Sequence, residues 1–223
     1  MKMLPTSKGP FPTRPYYPDD AIEKICSDAL AEFNLLPSKP GRIRIDRLID
    51  KKYRVPIIFE SLDKGVLGFT EFGPNGVEAI HVADAPGELF GNRRISSTLA
   101  HEAGHCLMHA QLFIEYFANN LFENDPDVTQ RRILCRVGQS SVRTKQQKYD
   151  GRWWEFQANR AIGALLMPKE LFLTFMQPYL ERSGNVMVSR LPTDVKEEAI
   201  KMATRVFDVN PAVARVRMNS NPF

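Results

Sequence analysis

Two histidines lie four residues apart in the sequence HEAGH at 101–105. On a helix, residues four apart occupy the same face in successive turns, so His101 and His105 can bind one metal ion. Glu102 lies beside them, where it can take a proton from a water molecule activated by the metal and later return it. The pattern is typical of a zinc hydrolase, and it predicts one Zn²⁺ per chain with Glu102 as the catalytic base.

A catalytic zinc ion usually has three protein ligands and one open position, so this motif needs a third ligand. His109 is one turn further along the same helix, about 6 Å away by helix rise, which is too far to complete the set. We interpret it as a histidine packed near the site. Glu155 is the other candidate, but from the residues alone it could equally lie at the surface. Asn159, one turn later, could orient a ligand or simply pack between helices.

The residues HEAGHCLMH at 101–109 are followed by Glu155, Ala158, Asn159 and the sequence LLMP at 165–168. This combination resembles the ImmA/IrrE metallopeptidases, in which an HExxH motif with a further histidine precedes a helix of the form E-x-x-A-N that ends in L-L-M-P. A weaker similarity extends to DKGVLGF at 63–69. In total the resemblance covers residues 20–110 and 150–220.

The resemblance implies a zincin-like fold in which His101, His105 and Glu155 bind zinc and Glu102 is the base. It also implies a peptidase whose substrate is a protein, such as a helix-turn-helix repressor or a stress regulator. The chain departs from the pattern at three points. A link of 49 residues, longer than usual, separates His105 from Glu155, Gln157 stands where an acid is common, and Ala161 replaces an aromatic residue.

The predicted strands and helices around these residues indicate an α+β domain over 19–180. β-Branched and aromatic residues predict strands at 55–60, 65–71 and 76–83, the last two joined by the turn sequence GPNG, and therefore a small, mostly antiparallel sheet. Helical spacing begins near Ile95, where an apolar stripe faces away from the two histidines. A second helix is predicted from Arg152 to Leu166, and residues 111–150 are interpreted as an insertion.

The two ends of the chain differ from this domain. Residues 1–18 contain five prolines and no strand periodicity, which predicts an extended arm. Residues 181–223 are predicted to be helical, with a short turn at 208–210 and Pro211 at the first position of the last helix. That spacing is compatible with a helix-turn-helix that binds DNA, or with a helical region that packs beside the active site.

The composition argues against a membrane-spanning or secreted protein. No run of 18 apolar residues is present, so we expect no membrane partner. Three widely spaced cysteines and the lack of a secretory h-region favour the cytoplasm.

The net charge is +4, and seven cations between 131 and 152 are opposed only by Asp150. This segment is either a solvated basic surface or a contact for an acidic partner or nucleic acid.

The sequence leaves open which residue stabilises the oxyanion, and it allows an alternative function. Tyr149, His109 and His81 are the candidates for stabilising the oxyanion of the transition state, and the residues do not choose among them. The alternative function is a DNA-associated or antitoxin-like binding module with a non-catalytic metal site. Structural zinc sites are usually closed by four Cys or His ligands, and the chain has no Cys-x-x-Cys pair, so the enzyme is favoured.

Overall fold

The computed structural model describes residues 2–6, 11, 13–84, 89–119, 132–136, 152–182 and 191–220. Within these residues the chain forms seven helices and six strands. The helices are α1 (Asp19–Glu32), α2 (Ile45–Tyr53), α3 (Leu89–Asn119), α4 (Trp153–Leu166), α5 (Lys169–Arg182), α6 (Thr193–Val206) and α7 (Pro211–Ser220). The strands are β1 (Lys2–Pro5), β2 (Thr13–Tyr16), β3 (Ile57–Glu60), β4 (Val66–Gly73), β5 (Gly76–Ala83) and β6 (Arg132–Arg136).

The main sheet has four strands in the order β3-β5-β4-β6. β4 and β5 form the expected antiparallel hairpin, and Gly76 has a φ of 108°, a conformation that favours glycine at this tight turn. β3 pairs with β5 in parallel, whereas β6 pairs with β4 antiparallel. The mixed α+β class and the mostly antiparallel sheet are therefore confirmed, while the zincin-like topology stays a prediction.

Three features differ from the sequence-based expectation. The arm at 1–18 contains two short strands, β1 and β2, that pair antiparallel with each other. α3 begins at Leu89, before Ile95, and continues to Asn119, so the first residues of the predicted insertion are helical. A further part of that insertion, β6, belongs to the main sheet. The rest of the basic segment lies outside the described residues, apart from Arg152.

The hydrophobic core is built around α3, which packs against α4 on one side and against β4 and β5 on the other. The predicted apolar stripe of Leu99, Ala103 and Cys106 is buried in it, and Cys26 of α1 lies in the same core. α6 and α7 contribute to this core as well. Among the described residues, no helix combines the length and the apolar character needed to cross a membrane.

α3 and α4 approach each other closely at Gly104. A Cβ atom on this glycine would lie 2.8 Å from Cβ of Ala161 and 3.2 Å from Cα of Ala158. Real Cβ atoms do not approach other atoms this closely, so only glycine allows the present spacing of the two helices. Because Gly104 lies between His101 and His105, this contact brings the start of α4 next to both histidines.

Candidate metal centre

His101, His105 and Glu155 come together where α3 meets α4, and together they could hold a metal ion. Each of the three is buried, and one potential ligand atom from each lies within 4.8 Å of the others. Nε2 of His105 is 3.0 Å from Nε2 of His101. The two carboxylate oxygens of Glu155 lie 3.3 Å from Nε2 of His101 and 3.4 Å from Nε2 of His105.

The hydrogen bonds around this group favour a cation at its centre. Nδ1 of His101 donates to Oδ1 of Asn159 over 3.1 Å, so in the neutral ring Nε2 presents a lone pair to Glu155. Neither oxygen of Glu155 accepts a hydrogen bond from any described residue, although both are buried. Lone pairs that face each other in a buried site are stabilised by a shared cation. Two imidazoles and one carboxylate fit a divalent metal with an open coordination position.

The charge state of His105 agrees with this arrangement. Burial lowers the pKa of His105 to about 4, so this ring is neutral near pH 7. A neutral imidazole and an ionised carboxylate are the forms that bind metals.

Glu102 is fully buried beside the two histidines, and it is held by the sheet. The hydroxyl of Thr70 on β4 donates a hydrogen bond of 2.7 Å to Oε2 of Glu102. Oε1 of the same carboxyl has no hydrogen-bond partner among the described residues. Burial raises the pKa of Glu102 to about 8, against the lowering effects of His101 and Thr70. One oxygen is thus fixed, and the other is available for a proton.

Gly68 allows β4 to come this close to α3. A Cβ atom on Gly68 would lie 2.7 Å from Cγ2 of Thr98, 2.7 Å from the carbonyl oxygen of His81 and 3.4 Å from Oε1 of Glu102. The absence of a side chain at this position therefore sets the distance between the sheet and the helix that carries the histidines.

His109 lies beside the three potential ligands, not among them, in agreement with its interpretation as a packed histidine. Its Nδ1 is 2.9 Å from Nδ1 of His105, and its Nε2 is 2.9 Å from Oε1 of Gln157. The ring is fully buried, with its plane at 86° to that of Trp153. Burial lowers the pKa of His109 to about 3, which keeps the ring neutral.

Of the other two candidates for the oxyanion role, His81 is the one that the structure describes, and its ring does not face this site. His81 stacks on Phe69 at 4.2 Å between ring centroids and contacts Glu60 through Nδ1 at 2.5 Å. Because side chains alternate along a strand, Phe69 and its partner His81 face away from Glu102, whereas Thr70 faces it. Tyr149 lies outside the described residues.

Two residues of this site were missed from the sequence, Thr70 and Gln157. Alternation along β4 could have grouped Thr70 with Gly68 on one face, but it could not show that this face meets Glu102. Gln157 was noted as a departure from the family pattern, and no signal in the sequence links it to His109.

No protein-family model matches the chain, and no curated protein matches it. Membership of the ImmA/IrrE metallopeptidases therefore stays a prediction from residues 101–109 and 155–168.

Proposed function

We propose that this protein is a zinc-dependent peptidase in which His101, His105 and Glu155 bind the metal and Glu102 is the general base. The observation that carries the proposal is a second buried carboxylate next to the potential metal ligands. Glu102 is not part of the group that could hold the ion, yet it is buried beside His101 with one oxygen unpartnered among the described residues. A merely structural metal site has no need for such a group.

Zinc is the metal that this donor set favours. Imidazole nitrogens suit zinc and other late transition metals, whereas Mg²⁺ and Ca²⁺ prefer sites made of oxygen atoms. Two histidines with one glutamate is also a known ligand set of catalytic zinc in peptidases. When bound, zinc supplies Lewis-acid polarisation of the scissile carbonyl and lowers the pKa of water from 15.7 to about 7.

Glu102 moves the protons of the reaction. Thr70 holds Oε2, so the carboxyl group cannot rotate freely, and Oε1, which has no hydrogen-bond partner among the described residues, is left to exchange a proton. Oε1 takes the proton of the attacking water and then delivers it to the leaving amine. Burial raises the pKa of Glu102 to about 8 before any metal is bound, and a bound cation would lower it, because a nearby positive charge favours the ionised carboxylate that accepts the proton.

The decisive experiment replaces Glu102 by Gln, which keeps the shape of the side chain but cannot accept a proton. We expect the variant to retain its zinc and its fold, and to lose peptide cleavage by about 10²-fold or more. Glu115→Gln is the matched control, because Glu115 is an exposed glutamate on the same helix. Zinc is measured by elemental analysis, and cleavage is measured by comparing the proteomes of cells that express each variant.

The outcomes separate an enzyme from a binding module. Loss of new peptide termini in the Glu102→Gln proteome, with zinc retained, supports the peptidase. A zinc-loaded Glu102→Gln protein that produces the full cellular response of the wild type would instead identify a binding module with a non-catalytic metal. Purified wild-type protein that carries no zinc, or that prefers an oxygen-binding metal, would refute the choice of cofactor.

The substrate class follows from the resemblance to ImmA/IrrE metallopeptidases, and we propose a regulatory protein such as a transcriptional repressor in the cytoplasm. Binding of nucleic acid by α6 and α7 is less favoured. Arg215 and Arg217, the two arginines of α7, form ion pairs with Glu197 and Glu23. Arg217, Ala214 and Met218 are also buried, so one face of the helix belongs to the core.

A further inference from the structure

The amide of Gln157 is held in one orientation by two hydrogen-bond partners. Its Nε2 donates to the carbonyl oxygen of Pro15 over 2.8 Å, and this interaction is buried. A carbonyl oxygen can only accept, so the NH₂ end of the amide must face Pro15. The other end, Oε1, therefore faces Nε2 of His109 at 2.9 Å.

This orientation determines which nitrogen of each histidine carries the proton. Oε1 of Gln157 can only accept, so the proton of the neutral His109 ring must be on Nε2. Nδ1 of His109 is then an acceptor, and Nδ1 of His105, 2.9 Å away, must donate to it. The neutral ring of His105 consequently carries no proton on Nε2, the atom that faces His101 and Glu155.

The opposite arrangement of protons would prevent metal binding. If Nδ1 of His109 carried the proton, Nδ1 of His105 would have to accept it, and the His105 proton would move to Nε2. An N–H group would then point at Nε2 of His101, 3.0 Å away, in place of the lone pair that a metal needs.

We propose that His109 and Gln157 are positioning residues, which hold His105 in its metal-binding tautomer through a hydrogen-bond relay. The relay runs from His105 through His109 and Gln157 to the carbonyl of Pro15 on β2. It rests on the metal site of the proposed function, and it extends that site to the N-terminal arm. Pro15 is buried, and Tyr17, two residues later, donates a hydrogen bond of 3.5 Å to the carbonyl of Met108 on α3.

The first test measures zinc affinity by competition with a chromophoric chelator. Gln157→Leu removes the acceptor for His109, and His109→Phe removes the acceptor for His105. We expect each variant to bind zinc still, but about 10- to 100-fold more weakly than the wild type. Gln157→Glu keeps an acceptor for His109 but places a carboxylate oxygen against the carbonyl of Pro15, so its affinity should lie between those of Gln157→Leu and the wild type. Gln177→Leu, which removes an exposed glutamine of α5, is the matched control.

The second test reads the tautomers directly in the metal-free protein by ¹⁵N-resolved NMR of the histidine rings. In the wild type we expect the proton of His105 on Nδ1 and that of His109 on Nε2. In Gln157→Leu the His105 proton should appear partly on Nε2. This spectroscopic change separates a positioning role from a loss of packing, since packing alone would leave the tautomer of His105 unchanged. Should Gln157→Leu not fold, Gln157→Met serves the same purpose.

Failure of the relay can be distinguished from failure of the metal site. Unchanged zinc affinity in folded Gln157→Leu and His109→Phe, with the His105 proton still on Nδ1 in Gln157→Leu, would overturn the relay and leave the proposed peptidase standing. A wild-type protein that binds no zinc would refute the metal site instead. In that case the NMR experiment on the metal-free protein still tests which nitrogen of each histidine ring carries the proton.

Discussion

Replacing Gly104 by alanine should damage the metal site while leaving the protein folded. The added Cβ would lie 2.8 Å from Cβ of Ala161, whereas carbon atoms in contact settle at about 3.5–4.0 Å. α3 and α4 must therefore separate by about 1 Å at this level. Glu155 lies one turn before Ala158 on α4, so it moves away from His101 and His105 with the helix.

The expected loss of stability in Gly104→Ala is small, whereas the expected loss of zinc affinity is large. Overpacking of a core lowers the free energy of unfolding by about 1–3 kcal/mol, whereas alanine in place of glycine within a helix raises it by about 1 kcal/mol. The free energy of unfolding should therefore fall by no more than about 2 kcal/mol. Metal sites tolerate ligand shifts of only about 0.2 Å, so a displacement of about 1 Å at Glu155 should weaken zinc binding by 10-fold or more.

The assay is a chelator competition for zinc combined with urea unfolding of the same samples. The double variant Gly104→Ala/Ala161→Gly removes the opposing Cβ atom but keeps the 3.2 Å approach to Cα of Ala158, so it should recover part of the affinity. Gly163→Ala is the control, because a Cβ there would meet only the flexible side chain of Arg217, 3.4 Å away. Wild-type zinc affinity in Gly104→Ala would refute the view that this contact sets the distance between Glu155 and the histidines.

Three further predictions concern the carboxylates and the sheet. Glu155→Ala removes one of three ligands and should weaken zinc binding by about 10-fold or more in the same competition assay. Gly68→Ala should push β4 away from Thr98, lengthen the bond from Thr70 to Glu102, and lower peptide turnover at constant zinc content. In the metal-free protein the pKa of Glu102 rises from 4.5 to about 8, so stability should fall as pH rises through this range. Urea titrations should show this slope, of up to about 1.4 kcal/mol per pH unit, disappear in Glu102→Gln.

The helical face of HEAGH and the GPNG hairpin could be predicted because each depends on residues close together in sequence. The stripe of Leu99 and Cys106 predicted the buried face of α3, and the turn at 73–76 predicted which strands pair. The zinc, the peptidase activity and the cytoplasmic location stay predictions, because neither the fold nor the comparisons test them.

The remaining features depend on contacts between distant parts of the chain. Sequence periodicity predicts that a segment is a strand, but it does not predict which strands pair. The parallel pairing of β3 with β5 and the edge position of β6 therefore could not be predicted. Gln157 and His109 meet because α3 and α4 pack in one register, and that register follows from small residues at 104, 158 and 161. Alanine is the best helix former and a single glycine costs a helix only about 1 kcal/mol, so these three residues do not by themselves indicate a close helix contact.

The burial of two thiols has a consequence for the chemical reactivity of the protein. Cys26 and Cys106 are almost completely enclosed, and burial raises the pKa of both thiols well above the ordinary value. An alkylating reagent attacks the thiolate, so it should modify these residues only in molecules that have transiently opened. The alkylation rate of Cys106, followed by peptide mass spectrometry, therefore reports how often the helix that carries the histidines separates from the core.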